Sequence, residues 1–183
     1  MIILTCLVLG LILRAGAGEN VRTLETVKLR GEAWLVILLL MQVAVPGLNV
    51  SGVASRVVYF VWLTTFPALI AISWANRRYP GMALMGLGLC LNLTVVLPNG
   101  GMPVFAEAAS IAKSSAAAMR IPSSDFVHVV GGAATRAPWL ADVIPLPGPS
   151  WLRAVASPGD ILLFVGIVAF LAGSRALHSR NSP

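Results

Sequence analysis

Met82–Leu97 reads MALMGLGLCLNLTVVL, an uninterrupted apolar run without a single charge. Coiled as a helix it rises about 24 Å, most of the ~30 Å hydrocarbon core of a bilayer. Asn76-Arg77-Arg78 and Pro80-Gly81 close it on one side, and Pro98-Asn99-Gly100-Gly101 on the other. Gly86, Gly88 and Cys90 thin out one part of its surface, so a neighbouring helix can approach its backbone closely. Asn92 is a polar group inside the run, and such a group is expected to hydrogen-bond to another helix.

Working outward, the same pattern recurs. Residues 57–74 form a span with Pro67 as a kink. Residues 33–50 form another, with Gln42 inside it and Pro46 near its end. Residues 160–173 form a short last span. Met1–Leu13 is apolar and closed by Arg14. No basic region precedes it, so it reads as a first span over residues 1–17, with Arg14 snorkelling to the interface, and not as a cleaved leader. Composition agrees with these spans. Of 183 residues, 57% are hydrophobic and 11% charged, against roughly 25% charged in soluble domains. The mean hydropathy is +0.86. A soluble domain of this size has too little core to hide that much apolar surface. The expected fold class is therefore all-α, a polytopic membrane helical bundle of about five spans forming a single domain over 1–183.

The net charge of +6 carries no basic run and no basic-aromatic interleaving, so nucleic acid is not an expected partner. Basic residues mark cytoplasmic loops instead. Arg14, Arg22, Lys28 and Arg30 lie in the first connection, Arg77 and Arg78 in the third, and Arg175 and Arg180 in the tail; the second holds only Arg56. Five spans then run with the N-terminus outside and the C-terminus in the cytoplasm of a bacterial inner membrane. Trp34 and Trp74 fall at cytoplasmic ends, Tyr59 and Trp62 near an outer end, where aromatic belts sit.

Residues 98–158 remain outside, a 61-residue segment holding eight of the twelve prolines. A segment of that length has structure or function of its own. Asn99-Gly100-Gly101-Met102-Pro103 reads as a turn into a helix, with Pro103 at the first helical position and Val104–Arg120 helical. Phe105, Ala109, Ala112, Ala116 and Met119 form one face of that helix. Asp125–Val130 suits a short strand or a membrane-touching turn.

Two aspartates, Asp142 and Asp160, sit at the outer membrane edge by this topology. Two close carboxylates can share a proton, one as base and one as acid, and activate a water. The competing reading of Asp160 is structural. Ser157-Pro158-Gly159-Asp160 before an apolar run is a capping box with proline at the first helical position. His128 is a candidate proton carrier. The backbone N–H groups of Asn99, Gly100, Gly101 and Met102, ahead of Pro103, could form a nest for an anion such as a phospholipid headgroup. Cys6 and Cys90 read as small buried hydrophobes. His128 and His178 lie 50 positions apart with no cysteine near either, so no metal site is expected, and no cofactor motif appears.

Three blocks carry a resemblance: LNLTVVLPNGGMPV at Leu91–Val104, DVIPLPG at Asp142–Gly148, and SPGDILLFVGI at Ser157–Ile167. With an N-terminal span and a basic link, they resemble a family of small multi-pass bacterial membrane proteins, common in actinobacteria and catalogued as a domain of unknown function. The resemblance implies the fold and no activity. A fainter one is to lipoprotein signal peptidase, which also starts its last span with an aspartate before a glycine-containing apolar run. Asp160 with Gly166 is similar, and Asp142 would stand for that family's first aspartate. This chain lacks the family's Asn-x-x-Asp-Arg block, and Pro158-Gly159 replaces its alanine.

The expected function is that of a non-catalytic accessory, scaffold, or lipid- or partner-binding membrane protein. Its expected partners are the lipid bilayer, a phospholipid headgroup or another membrane protein. An aspartyl-type membrane hydrolase using Asp142 and Asp160 is the alternative. A small-molecule transporter, with Gln42 and Asn92 as its only route-lining groups, comes third.

Overall fold

Four helices alternate in direction, tied at one end by side-chain to backbone hydrogen bonds and at the other by side-chain to side-chain bonds. The computed structural model describes residues 10–18, 24, 27–48, 50, 52–113, 121, 125–146 and 153–173. In chain order these form α1 (10–16), α2 (Glu32–Ala44), α3 (Val53–Ala75), α4 (Met82–Asn99), β1 (Met102–Val104), α5 (Ala106–Lys113), β2 (His128–Val130), β3 (Ile144–Leu146), β4 (Ala154–Ala156) and α6 (Pro158–Gly173). The chain is mostly helical, but it is not all-α. Two two-stranded sheets, β1 parallel to β2 and β3 antiparallel to β4, build the segment between α4 and α6.

Two helices, α3 and α4, are long and apolar enough to cross a membrane. Helices α2 and α6 are apolar but shorter, at 13 and 16 residues. Five full-length spans are therefore not what the described residues show. The reason at α2 is local: Val45-Pro46-Gly47 tightens into a 3-10 turn and Leu48 is extended, which ends the helix well before residue 50. Residues 1–9 and Cys6 of the expected first span lie outside the described residues.

Glycines set the α4–α6 packing. A Cβ at Gly81 would overlap the Gly166 carbonyl, and one at Gly88 would press on the Gly159 carbonyl. The two pairs run in opposite order along the helices, so α4 and α6 are antiparallel and nearly backbone to backbone, as the thinned surface of α4 predicts. Gly86 faces Ser73 of α3 in the same way. Gln42 donates to Thr65 Oγ1 at 2.6 Å, tying α2 to α3. The apolar core gathers Trp62, Phe66 and Leu69 of α3, Leu89, Val95 and Val96 of α4, and Met102, Val127 and Ala141 from the segment beyond.

One end of the bundle carries the basic residues. Asn76 at the end of α3 is fully buried; its Nδ2 donates to the carbonyls of Arg30 and Ile72, and its Oδ1 accepts the Arg30 N–H. Tyr79 Oη donates to the Lys28 carbonyl. The Arg77 guanidinium lies 5.0 Å from the Trp74 ring centre. Arg14 does not snorkel outward. It is buried, and its Nη1 donates to the Leu171 carbonyl at 2.9 Å. That carbonyl is in the last turn of α6, where cations complement the helix dipole. Apolar side chains cover the outside of the helices. No residue of α2 is buried, and Trp34, Leu40, Val43, Val57 and Phe60 are all exposed.

Candidate functional site

The other end holds the sequence-predicted residues. At the start of α6 the capping box forms as its spacing predicts. Asp160 N–H donates to Ser157 Oγ at 3.0 Å, and Ser157 N–H donates to Asp160 Oδ2 at 3.1 Å. Asn92 of α4 closes the arrangement into a ring. Its Nδ2 donates to Asp160 Oδ1 at 2.8 Å, and its Oδ1 accepts from Ser157 Oγ at 2.9 Å. Ser157 and Asn92 are buried. The ring exists because Gly159 lacks a side chain: a Cβ there would overlap Asn92 Oδ1. Every polar atom in the ring has a partner, so burial does not penalise it. Asn92 thus acts between helices, as its place inside an apolar run implies.

Asp142 lies across from this ring and is only 7% exposed. Its backbone is zipped to β1. Its N–H donates to the Pro103 carbonyl at 2.9 Å, and its carbonyl accepts from Phe105 N–H. Its Oδ1 is buried and has no hydrogen-bond partner. Burial, and then the negative charge of Asp160, push the carboxyl up from 3.8 to about 8. Both effects favour the protonated, neutral acid. Among the described residues no hydrogen bond joins the two carboxyl groups, and Asp160 is held by its own helix start and Asn92. An open groove of about 190 Å³ nearby is lined by Phe105, Glu107, Ala108, Ile111, Val143 and Pro145, and not by Asp142.

The Asn99–Pro103 turn differs from expectation. Its exit is strand β1, so Pro103 is paired opposite Val129 and does not start a helix. The helix begins later, at Ala106, and is described to Lys113; residues 114–120 lie outside the described set. The competing force is pairing: β2, at His128–Val130, offers Met102 a partner. The turn's amides are also taken. Gly100 and Gly101 N–H both donate to the Val96 carbonyl, and Met102 N–H to the Val127 carbonyl at 2.7 Å. Gly100 is left-handed, at φ 71°. Asn99 pairs with the backbone of Arg136, its Nδ2 donating to that carbonyl and its Oδ1 accepting that N–H. Asn76 engages the Arg30 backbone by the same two bonds.

His128 has a partner that its spacing already offers. Its Nδ1 lies 2.9 Å from Asp125 Oδ2, three residues earlier. Asp125 Oδ1 also accepts the N–H groups of Val127 and His128. Strand β1 separates this pair from Asp142. The structure therefore brings Asp142 and Asp160 into one neighbourhood, gives Asn92 and Ser157 to the same site, joins Pro103 to it through its carbonyl, and leaves His128 and Asn99 apart from it. Among the described residues no group of His, Cys, Asp and Glu is placed to hold a metal ion.

Comparison with known proteins agrees with the first resemblance at the level of a family without an assigned role. Residues 26–172 match a family described as "Family of unknown function (DUF5317)", and the chain belongs to that family. A protein of Thermotoga maritima described as "Uncharacterized protein" is 36% identical over 99 residues. The match covers 52% of this chain and 52% of that protein, so the aligned region spans about half the length of the relative. No solved structure matches the chain.

Proposed function

We propose that this family member is an integral protein of the bacterial inner membrane, with its N-terminus outside and its C-terminus in the cytoplasm. In this reading α1 to α4 and α6 cross the bilayer, and residues 98–158 form an outer cap. The alternating directions of α2, α3, α4 and α6 support it. So does the gathering of Lys28, Arg30, Arg77 and Arg78 at the end opposite the cap, where cytoplasmic loops carry their positive charge. The exposed apolar residues of α2 and α3 would face lipid.

The cap does non-catalytic work, as an accessory, scaffold, or partner- or lipid-binding surface. The observation that carries this is how Asp160 is used. Its carboxylate takes one hydrogen bond from its own helix start and one from Asn92. Asp142, the carboxyl whose charge couples to it among the described residues, is buried away from the neighbouring groove. A water-activating dyad needs both carboxyls within reach of the reacting group. Trp139 and Val130 are exposed on the cap and offer contact area. The test places a photo-crosslinking residue at Trp139 in cells. The expected result is a discrete adduct with one membrane protein, or with phospholipid at a yield above that given by the same residue at lipid-facing Trp34. No adduct from any exposed cap position would overturn the binding role.

A second reading, an aspartyl-type membrane hydrolase, is favoured by the electrostatic coupling of Asp160 to Asp142. It requires the purified protein to cleave a membrane-anchored peptide, and Asp142→Asn to abolish cleavage. Equal activity, or none, in both proteins would exclude it.

A further inference from the structure

We propose that the proton on Asp142 latches the outer cap: while the acid is neutral, Asp142 and the residues beside it stay held against the β1 edge, and loss of the proton to solvent releases them. The argument starts from geometry. Asp142 Oδ1 is buried without a partner. An ionised carboxylate left in such a place is uncompensated, and the cost is met by moving the group to water or keeping its proton. The side chain belongs to a residue that is 7% exposed and whose backbone is the zipper. Asp142 N–H and C=O make the two bonds to Pro103 and Phe105, and Ala141 beside it is fully buried. Full hydration of both carboxylate oxygens, Oδ1 included, is the step proposed to part the segment from β1.

The release has a defined path. Residues just after Asp142 form β3, whose register pairs Ile144 with Ala156 and Leu146 with Ala154. Ala156 precedes Ser157, the cap of α6 and a member of the Asn92–Asp160 ring. The charged groups on the surrounding elements are Glu107 on α5, Asp125 and His128 at β2, Arg136 beside Asn99, Arg153 before β4, and Asp160 on α6. Of these, Asp160 is the one whose charge acts on Asp142, and it opposes ionisation. Among the described residues no ion pair joins a cation to the buried carboxylate, and the proton takes that role in the proposal. The latch needs only the cap as folded here and holds whatever the number of spans.

The test is hydrogen exchange on the full chain in detergent micelles at pH 6, 7, 8 and 9, with rates divided by their intrinsic values. The amides of Phe105 and Asp142 should lose at least tenfold protection between pH 7 and 9 in the wild type, while amides in the middle of α4 keep theirs. Asp142→Asn, which cannot ionise, should abolish the pH step. An unchanged wild-type profile, or the same loss in Asp142→Asn, would overturn the proposal. Infrared difference spectra of the wild type alone guard against a variant that misfolds. A protonated-carboxyl C=O band should be present at pH 7 and gone at pH 9, and a spectrum without that change refutes the latch.

Discussion

Substituting Gly159→Ala puts a methyl group where Asn92 Oδ1 already sits. The backbone neighbour on that side is the Gly88 carbonyl, so α6 cannot shift toward α4 to relieve the overlap. Asn92 has to swing away. It then loses its bond to Asp160, a charge-assisted contact worth about 1.5–3 kcal/mol, and its bond to Ser157, worth about 1 kcal/mol. Alanine returns up to about 1 kcal/mol of helix propensity. The net cost is about 2–3 kcal/mol, a fall of roughly 4–12 °C in Tm for a chain of this size. Thermal unfolding in detergent, followed by far-ultraviolet circular dichroism, measures it. Gly132→Ala is the control, since nothing lies within 4 Å of its new Cβ. A double-mutant cycle with Asn92→Ala sharpens the test, because removing Asn92 relieves the closest overlap and leaves the Gly88 carbonyl, at 2.7 Å. The two changes together should cost less than their sum by 1 kcal/mol or more, as expected for residues in contact. A Gly159→Ala protein as stable as wild type, or strictly additive costs, would refute the close α4–α6 packing and the polar ring built on it.

The raised Asp142 carboxyl makes stability depend on pH with a known sign. The folded state holds the proton more tightly than the unfolded chain, so its contribution is complete below the ordinary value of 3.8 and is lost as pH rises toward about 8. The slope in that window is about 1.4 kcal/mol per pH unit, and Asp142→Asn should remove that component from a denaturation series. Gly101→Ala drives a Cβ to 2.9 Å from both the Val127 carbonyl oxygen and Val129 Cγ1, so it should part β1 from β2 and cost about 1–3 kcal/mol in the same unfolding assay. Asn76→Leu removes both side-chain bonds to the partly buried Arg30 backbone, at a cost of about 1–3 kcal/mol, and should speed proteolysis at residues 27–31. Asn99→Ala breaks the matching pair with Arg136 at a more exposed site, and about 1 kcal/mol is expected.

How far the sequence could be read depended on whether the deciding contact was local. The helices around Gln42, Pro67 and Met82–Leu97 follow from composition and period alone. The capping box at Ser157 and Asp160 is a three-residue spacing, and it formed as read. The Asp125–His128 pair has the same three-residue spacing and is equally legible in the sequence. Pro103 shows the limit. Its local preference is for a helix start, but the distant strand at His128–Val130 takes Met102–Val104 into a sheet. Arg14 shows it again. Beside an apolar run it reads as an interfacial residue, and only the packing of α1 against the end of α6 reveals the Leu171 carbonyl as its partner. The burial of Asp142 depends on β1, β3 and α6 meeting, which no single stretch of sequence states.

The account rests on which side of the membrane the cap faces, and cysteine labelling in intact cells tests that most directly. Cys90 is first replaced by alanine, and Cys6 likewise, to leave a chain free of native thiols. Single cysteines are then placed at Ala133 in the cap and at Arg78 at the opposite end. A membrane-impermeant maleimide should label Ala133→Cys in intact cells and Arg78→Cys only after the membrane is opened. Labelling of Arg78→Cys from outside, or of neither position until cells are lysed, would contradict the proposed topology and the exposed cap with it.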